Sequence, residues 1–222
     1  MWRLLHISDT HAGADAHGDP LERLETVLAA VEADGFSPDL IVHTGDIADA
    51  GAAGDVDAVL DRLGRMAPVL AVPGNHDDPA TVRTEAATLG PWRVVGVDST
   101  IPGEITGRAD ALARLATELT GPTVIALHHP LRTSSTNAWF VTHDRGEAIA
   151  ALLQAGVPVI VLTGHTHEAY AEHLGNVRFW GAPACYYALT HTGDTWTHGG
   201  DTGVRMVELR ADGTASTRVL PA

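Results

Sequence analysis

The sequence predicts an α/β fold from three observations. Short apolar runs closed by Gly, Pro or Asp recur along the chain, and longer stretches with helical periodicity separate them. After Thr166 the helical periodicity gives way to short strand-like runs.

The first run, WRLLHIS at 2–8, reads as a strand and ends on Asp9-Thr10-His11. A helix from Pro20 to about Ala33 follows. It has Pro at its first turn, Leu21, Leu24, Val27, Leu28 and Val31 on one face, and Gly35 just past its end. Further strands are expected at 39–43 (DLIVH), 69–72 (VLAV), 92–98 (WRVVGVD), 123–127 (TVIAL) and 157–162 (VPVIVL). Helical patterns near 52–66, 79–89, 107–119 and 144–155 fill the intervals. The segments NVRFWG, CYYALT and GVRMVELR predict an antiparallel tail and so a mixed sheet system. No repeat, linker or break in composition divides residues 1–222, and a single domain is expected.

Composition narrows the function classes. Net charge is -14, from 28 acidic residues against 14 basic ones that are all Arg. Such a surface argues against a nucleic-acid polymer or an anionic membrane as partner, since both need basic patches that release counterions. No apolar window reaches membrane-spanning length, and MWRLLHIS is too short and polar for a signal peptide, so a cytoplasmic protein is expected. The lone Cys185 excludes an intramolecular disulfide and fits a reducing compartment. Monomer and homodimer are both open.

The chemistry collects where strands end, which is where open α/β sheets bind ligands. In order these ends carry Asp9-Thr10-His11, Gly45-Asp46, Gly74-Asn75-His76-Asp77, His128-His129-Pro130 and Gly164-His165-Thr166-His167. The i, i+2 pairs Asp9/His11 and His165/His167 point to one side on extended backbone. Glycines before Asp46, Asn75 and His165 permit sharp turns. Carboxylate, imidazole and amide donors without thiolate suit Mn, Fe or Zn. One ion needs three to six such groups and the sequence supplies more, which argues for two ions. Two metals about 3.5–4 Å apart hold a hydroxide and stabilise both attacking and leaving oxygens of a phosphoryl displacement.

The ordered blocks D-x-H, G-D, G-N-H-D, H and G-H-x-H, from Asp9 to His167, resemble the calcineurin-like metallophosphoesterase superfamily. Within it, G-N-H-D with H-H-P and G-H-T-H is most similar to the class III cyclic nucleotide phosphodiesterase group. The resemblance implies a four-layer sandwich of two mixed β-sheets flanked by helices. It implies Asp9, His11 and His167 as ligands of a first metal, Asn75, His128 and His165 of a second, and Asp46 bridging both. It places Asn75 and His76 by the substrate phosphate, with His76 stabilising the transition state or protonating the leaving oxygen and Asp77 orienting the His76 ring. The implied activity is hydrolysis of small phosphodiesters such as 3',5'-cyclic nucleotides by metal-bound hydroxide. A phosphomonoesterase or a glycerophosphodiesterase shares the same metal site, and a non-catalytic scaffold would show eroded ligands, which this sequence does not.

Several positions stay open between roles. Asp77 is an orienter or a turn residue, and Asp78 caps a helix beginning at Pro79. Asp49 is a cap, a turn residue or an acidic companion of Asp46. His6 and His43 read as core histidines and His129 as a packing or supporting residue. Asn137, Trp139 and Phe140, in the loop after His128, line a substrate pocket or face the core. HTGDTWTHGGD, from His191 to Asp201, folds toward the site or is a solvated hairpin.

Overall fold

The computed structural model describes residues Met1 to Ala222. Its first strand, β1 (Trp2–Ile7), shows why the chain builds layers. Leu4 enters one apolar cluster while Leu5 and Ile7 enter another, and all three are fully buried. A strand apolar on both faces needs cover on both.

The chain continues through α1 (Pro20–Ala33), β2 (Leu40–His43), α2 (Ala53–Gly64), β3 (Val69–Ala71), β4 (Ala86–Leu89) and β5 (Trp92–Gly96). Next come β6 (Gly107–Arg108), α3 (Asp110–Thr117), β7 (Thr123–Ala126), a 3-10 turn at Ala138–Phe140, β8 (Thr142–His143) and α4 (Arg145–Gln154). The remainder is all strand: β9 (Val159–Thr163), β10 (Tyr170–Leu174), β11 (Val177–Gly181), β12 (Leu189–Thr192), β13 (Thr195–His198), β14 (Gly203–Leu209) and β15 (Ala215–Pro221).

Two sheets carry the fold, in the orders β15-β14-β1-β2-β3 and β10-β11-β9-β7-β5-β4. The first is parallel from β1 to β3 and antiparallel on its β14–β15 side, and the second has a parallel centre with antiparallel pairs at both margins. Leu4, for example, pairs with Leu40 in parallel and with Val207 antiparallel. Between the sheets, Leu4, Val42 and Leu70 of the first meet Trp92, Val124 and Ile160 of the second. Leu24 and Val27 of α1 and Val56 and Val59 of α2 cover the outer face of the first sheet. Leu112 of α3 and Leu152 of α4 cover the outer face of the second. Helices, sheet, sheet and helices give the expected four layers. α1 starts as its sequence predicts, with Asp19 accepting from the backbone N–H of Leu21 at 2.8 Å ahead of Pro20. No helix is long and apolar enough to cross a membrane.

The expected helix at 79–89 does not form. Asp78 Oδ1 accepts from Ala80 N at 2.9 Å and the Asp78 carbonyl from Thr81 N at 2.8 Å, so Asp78 closes a turn rather than capping a helix. Beyond it lie Thr81, Val82 and Thr84, β-branched residues that favour extended backbone, and the chain pairs as β4 against β5. The helix expected from 107 begins at Asp110, because Gly107 and Arg108 pair with Thr142 and His143 instead. The tail also departs from a purely antiparallel pattern, since β11 lies parallel to β9.

Candidate metal centre

The parallel strands deliver their polar blocks to one edge, and the backbone there is unusual. Six non-glycine residues have positive φ, and five of them are predicted ligands: Asp9 (56°), His11 (46°), Asp46 (51°), His165 (67°) and His167 (52°). Each left-handed L-residue costs about 1–2 kcal/mol. Cross-strand bonds hold the conformation, among them Asp9 N to Gly45 O at 3.0 Å and His11 N to Asp46 O at 2.9 Å. Gly74 is required by proximity rather than by φ, because a Cβ there would strike the Asp46 carboxylate.

The side chains form two adjoining donor groups. Asp9, His11, Asp46 and His167 bring one donor atom each within 4.8 Å of one another, and all four are buried. The second group is built on His128 and His165, with rings 4.9 Å apart, and on Asn75, whose Oδ1 lies 3.2 Å from His128 Nε2. Asp46 stands between the groups. Its Oδ2 is 3.7 Å from His11 Nε2 and 3.4 Å from His128 Nε2, while its Oδ1 accepts from His76 N at 3.0 Å.

Hydrogen bonds on the far side of each ring decide what the near side presents. His128 Nδ1 donates to Thr44 O at 2.6 Å and His167 Nδ1 to Tyr187 O at 2.8 Å, since a carbonyl only accepts. His11 Nδ1 donates to Asp49 Oδ1 at 3.1 Å, and His165 Nε2 donates to Trp139 O at 2.9 Å. Lone pairs are therefore left facing acceptors: His11 Nε2 toward His167 Nε2 at 3.3 Å, and His128 Nε2 toward the oxygens of Asn75 and Asp46. Only a proton or a cation relieves that arrangement, so the donor set fits metal ions.

The titration behaviour agrees. Burial alone would raise the Asp9 carboxyl, but the His167 imidazole beside it holds it well below the usual carboxylate range. Burial disfavours a charged His128, yet the Asp46 carboxylate pushes its pKa up to about 9, so in the metal-free protein a proton occupies the cation's place. Burial, reinforced by the charge on His128, lowers His165 to about 4, leaving it neutral and free to ligate.

Residues 3–169 match the calcineurin-like phosphoesterase family. The chain belongs to that family. A cAMP/cGMP dual specificity phosphodiesterase of Mycobacterium tuberculosis is 34% identical, over 84% of this chain and 67% of its own length. A 3',5'-cyclic adenosine monophosphate phosphodiesterase of Pseudomonas aeruginosa is 29% identical, over 97% of this chain and 88% of its own. The matched segment spans about two thirds of the mycobacterial relative and of those from Rhodococcus erythropolis and Synechococcus (67%, 64% and 65%). Among solved structures, a dimetal phosphatase from Danio rerio shares the fold, with a TM-score of 0.70 at 12% identity, over 98% of this chain and 95% of that one. In class, then, this member of the family is a metal-dependent phosphoric ester hydrolase.

Around the phosphoesterase centre, the supporting residues differ from expectation. Asp77 does not reach the His76 ring. Its buried carboxylate accepts from the backbone N–H groups of Ile47 (3.0 Å), Ala48 (2.9 Å) and Gly74 (2.9 Å), so it fixes the loop carrying Asp46. The His76 ring is held instead at Asp49, where Nδ1 donates to the Asp49 carbonyl at 2.9 Å. Asp49 thus serves both His11 and His76, a role its sequence position left open. His129 lies within 4.8 Å of His128 and His165, but both its ring nitrogens are engaged, Nδ1 with Ser99 Oγ at 2.8 Å and Nε2 with Ile105 O at 3.2 Å. His6 and His43 are buried, bonded to Thr44 and Thr10.

A cavity of about 110 Å³ opens over the donor groups, with Asn75, His76, Trp139 and Phe140 in its wall. Asn137 is not in that wall. Its Oδ1 accepts from Trp139 N at 2.9 Å and its Nδ2 donates to Asp194 O at 2.7 Å, so one end of the amide is engaged in its own loop and the other at the tip of the β12–β13 hairpin. The wall also contains Ile105, Trp196 from the stretch 191–201 that the sequence left open between site and solvated hairpin, and Tyr187 and Leu189, for which the sequence suggested no site role. Tyr187 and Leu189 lie in CYYALT, which reads only as a strand.

Proposed function

We propose that the chain is a dinuclear phosphodiesterase acting on small phosphodiesters, with 3',5'-cyclic nucleotides as the favoured class. The observation that carries this reading is the position of Asp46 Oδ2, within 3.7 Å of a donor from each group. Relatives named as cyclic nucleotide phosphodiesterases support the substrate class.

Asp9, His11 and His167 would hold one ion, Asn75, His128 and His165 the other, and Asp46 both, with Mn, Fe or Zn suited to these donors. Two such ions, when bound, supply charge neutralisation and an activated water for in-line displacement. The protein's own part is placement and proton transfer. Backbone bonds on Asp77 fix the Asp46 loop, the His76 N–H fixes Asp46 Oδ1, and the Asp49 carbonyl holds His76 Nδ1. His76 Nε2 is left to carry the proton given to the leaving alkoxide.

The same reading takes residues 1–222 as one catalytic domain working in the cytoplasm. The charge of -14 supports a small-molecule substrate over a nucleic-acid polymer. A second reading, glycerophosphodiester hydrolysis, is favoured by a relative of Enterobacter lignolyticus named glycerophosphodiester phosphodiesterase, 26% identical over 74% of this chain. Hydrolysis of bis-p-nitrophenyl phosphate with added manganese tests the shared chemistry. Asp46→Ala is expected to lose metal and turnover together, and His76→Ala to keep metal but lose most turnover. Full activity in His76→Ala would remove the proton-donor role. A panel of 3',5'-cyclic nucleotides, glycerophosphodiesters and phosphomonoesters then separates the substrate readings.

A further inference from the structure

The hairpin β12–β13 belongs to neither large sheet. An isolated two-stranded hairpin is marginal in water, so its position needs an explanation. His191 and Trp196 are cross-strand partners and share a face. The hairpin is fastened on that side. His191 Nε2 donates to Thr166 O at 2.7 Å, and its ring meets Phe140 edge-on at 4.6 Å. Thr136 N also donates to Gly193 O at 2.9 Å, tying the hairpin tip to the loop that carries Trp139.

These ties bring two indoles together at the mouth of the cavity. Trp139 and Trp196 lie 6.0 Å apart at 43°, and both are in the cavity wall. Trp139 is 49% exposed, so part of its indole faces solvent at the cavity. It is also one hydrogen bond from the donor groups, through its carbonyl on His165. The cavity is therefore polar at its floor and aromatic at its rim. A ligand that matches carries an anion at one end and a flat π-system at the other.

We propose that Trp196 and Trp139 form the wall on which the base of a nucleoside phosphodiester stacks while its phosphate meets the donor groups. The proposal rests on the phosphodiesterase reading above and makes Trp196 a specificity determinant. Stacking of a base on an aromatic side chain discriminates little among bases. The wall therefore selects nucleoside diesters over glycerol diesters rather than adenine over guanine.

The test measures KM and kcat for 3',5'-cyclic AMP and for glycerophosphoethanolamine, which has no ring, in the wild type, Trp196→Ala, Trp139→Ala and Trp196→Phe. It also measures quenching of tryptophan fluorescence by adenosine 5'-monophosphate. The expected result is a KM for cyclic AMP raised about tenfold or more in each alanine variant, with the ring-free diester unaffected. Trp196→Phe should restore most of the affinity, and nucleotide quenching should fall in both alanine variants. An unchanged cyclic AMP KM with quenching intact overturns the wall, as does equal weakening of both substrates. Wild-type protein that binds the nucleotide with wall-dependent quenching but does not cleave cyclic AMP overturns the substrate reading and upholds the wall.

Discussion

Asp49 Oδ1 lies 3.1 Å from Nδ1 of His11, and this contact sets which nitrogen His11 turns toward the donor group. The carboxylate also raises the His11 pKa against the lowering effect of burial. Hydrogen-bond partners of this kind typically change metal affinity 10–100-fold when removed. Asp49→Ala is expected to weaken the first metal position by about that factor, read by titrating the chelated protein with manganese. Asp49→Asn keeps an acceptor and should recover part of the loss. Equal metal affinity in wild type and Asp49→Ala would dismiss the role.

Asp77 gives a different kind of prediction, because its partners are backbone groups. Burial and the nearby Asp46 charge raise its pKa, and three N–H donors oppose that rise. Removing the carboxylate orphans those donors, at about 1–3 kcal/mol for each left dry. Asp77→Ala should therefore lower the urea midpoint and lose metal at the same time. If Asp77 acted only by aiming His76, the variant would keep its stability and its metal and lose kcat alone.

Acid sensitivity follows from the core imidazoles. Burial holds His43 at about 4 and, with the Arg205 charge, holds His6 well below its ordinary value. Both are neutral in the folded chain, whereas the unfolded chain protonates them below about 6.5. The unfolded state thus binds more protons between pH 6.5 and about 4. Stability should fall as pH drops through that window, by up to about tenfold in the folding constant per pH unit for each imidazole. Bound cations would push in the same direction. Urea titrations at pH 7 and pH 5 are expected to show a shallower pH dependence for His43→Gln than for the wild type, and parallel curves would contradict it.

The layers were legible because the apolar runs are short, uniform and bounded, and both faces of β1 demand cover. The segment at 79–89 misled because Asp78-Pro79 opens a turn as readily as a helix, and the β-branched residues after it were outweighed by spacing. Donor types and their order were readable one strand end at a time. What each supporting residue touches was not. Asp77 and Asp49 meet partners about thirty to forty residues away, Ile47 and His11, and no local pattern encodes such distances. Trp196 was visible only as part of an unusual stretch, since its meaning depends on how the hairpin closes against the loop at Trp139.

The donors are divided between the sheets: Asp9, His11, Asp46 and Asn75 follow strands of the first, and His128, His165 and His167 follow strands of the second. Even the polar bonds cross over, from His128 to Thr44 and from His165 to Asp9. Metal held by these donors would act as a buckle, adding to the polar bonds and apolar contacts that already join the two halves. Occupancy and the gap between the halves become one variable, so a chelator would loosen the sandwich along its whole fastened edge, and anything that spread the halves would release metal.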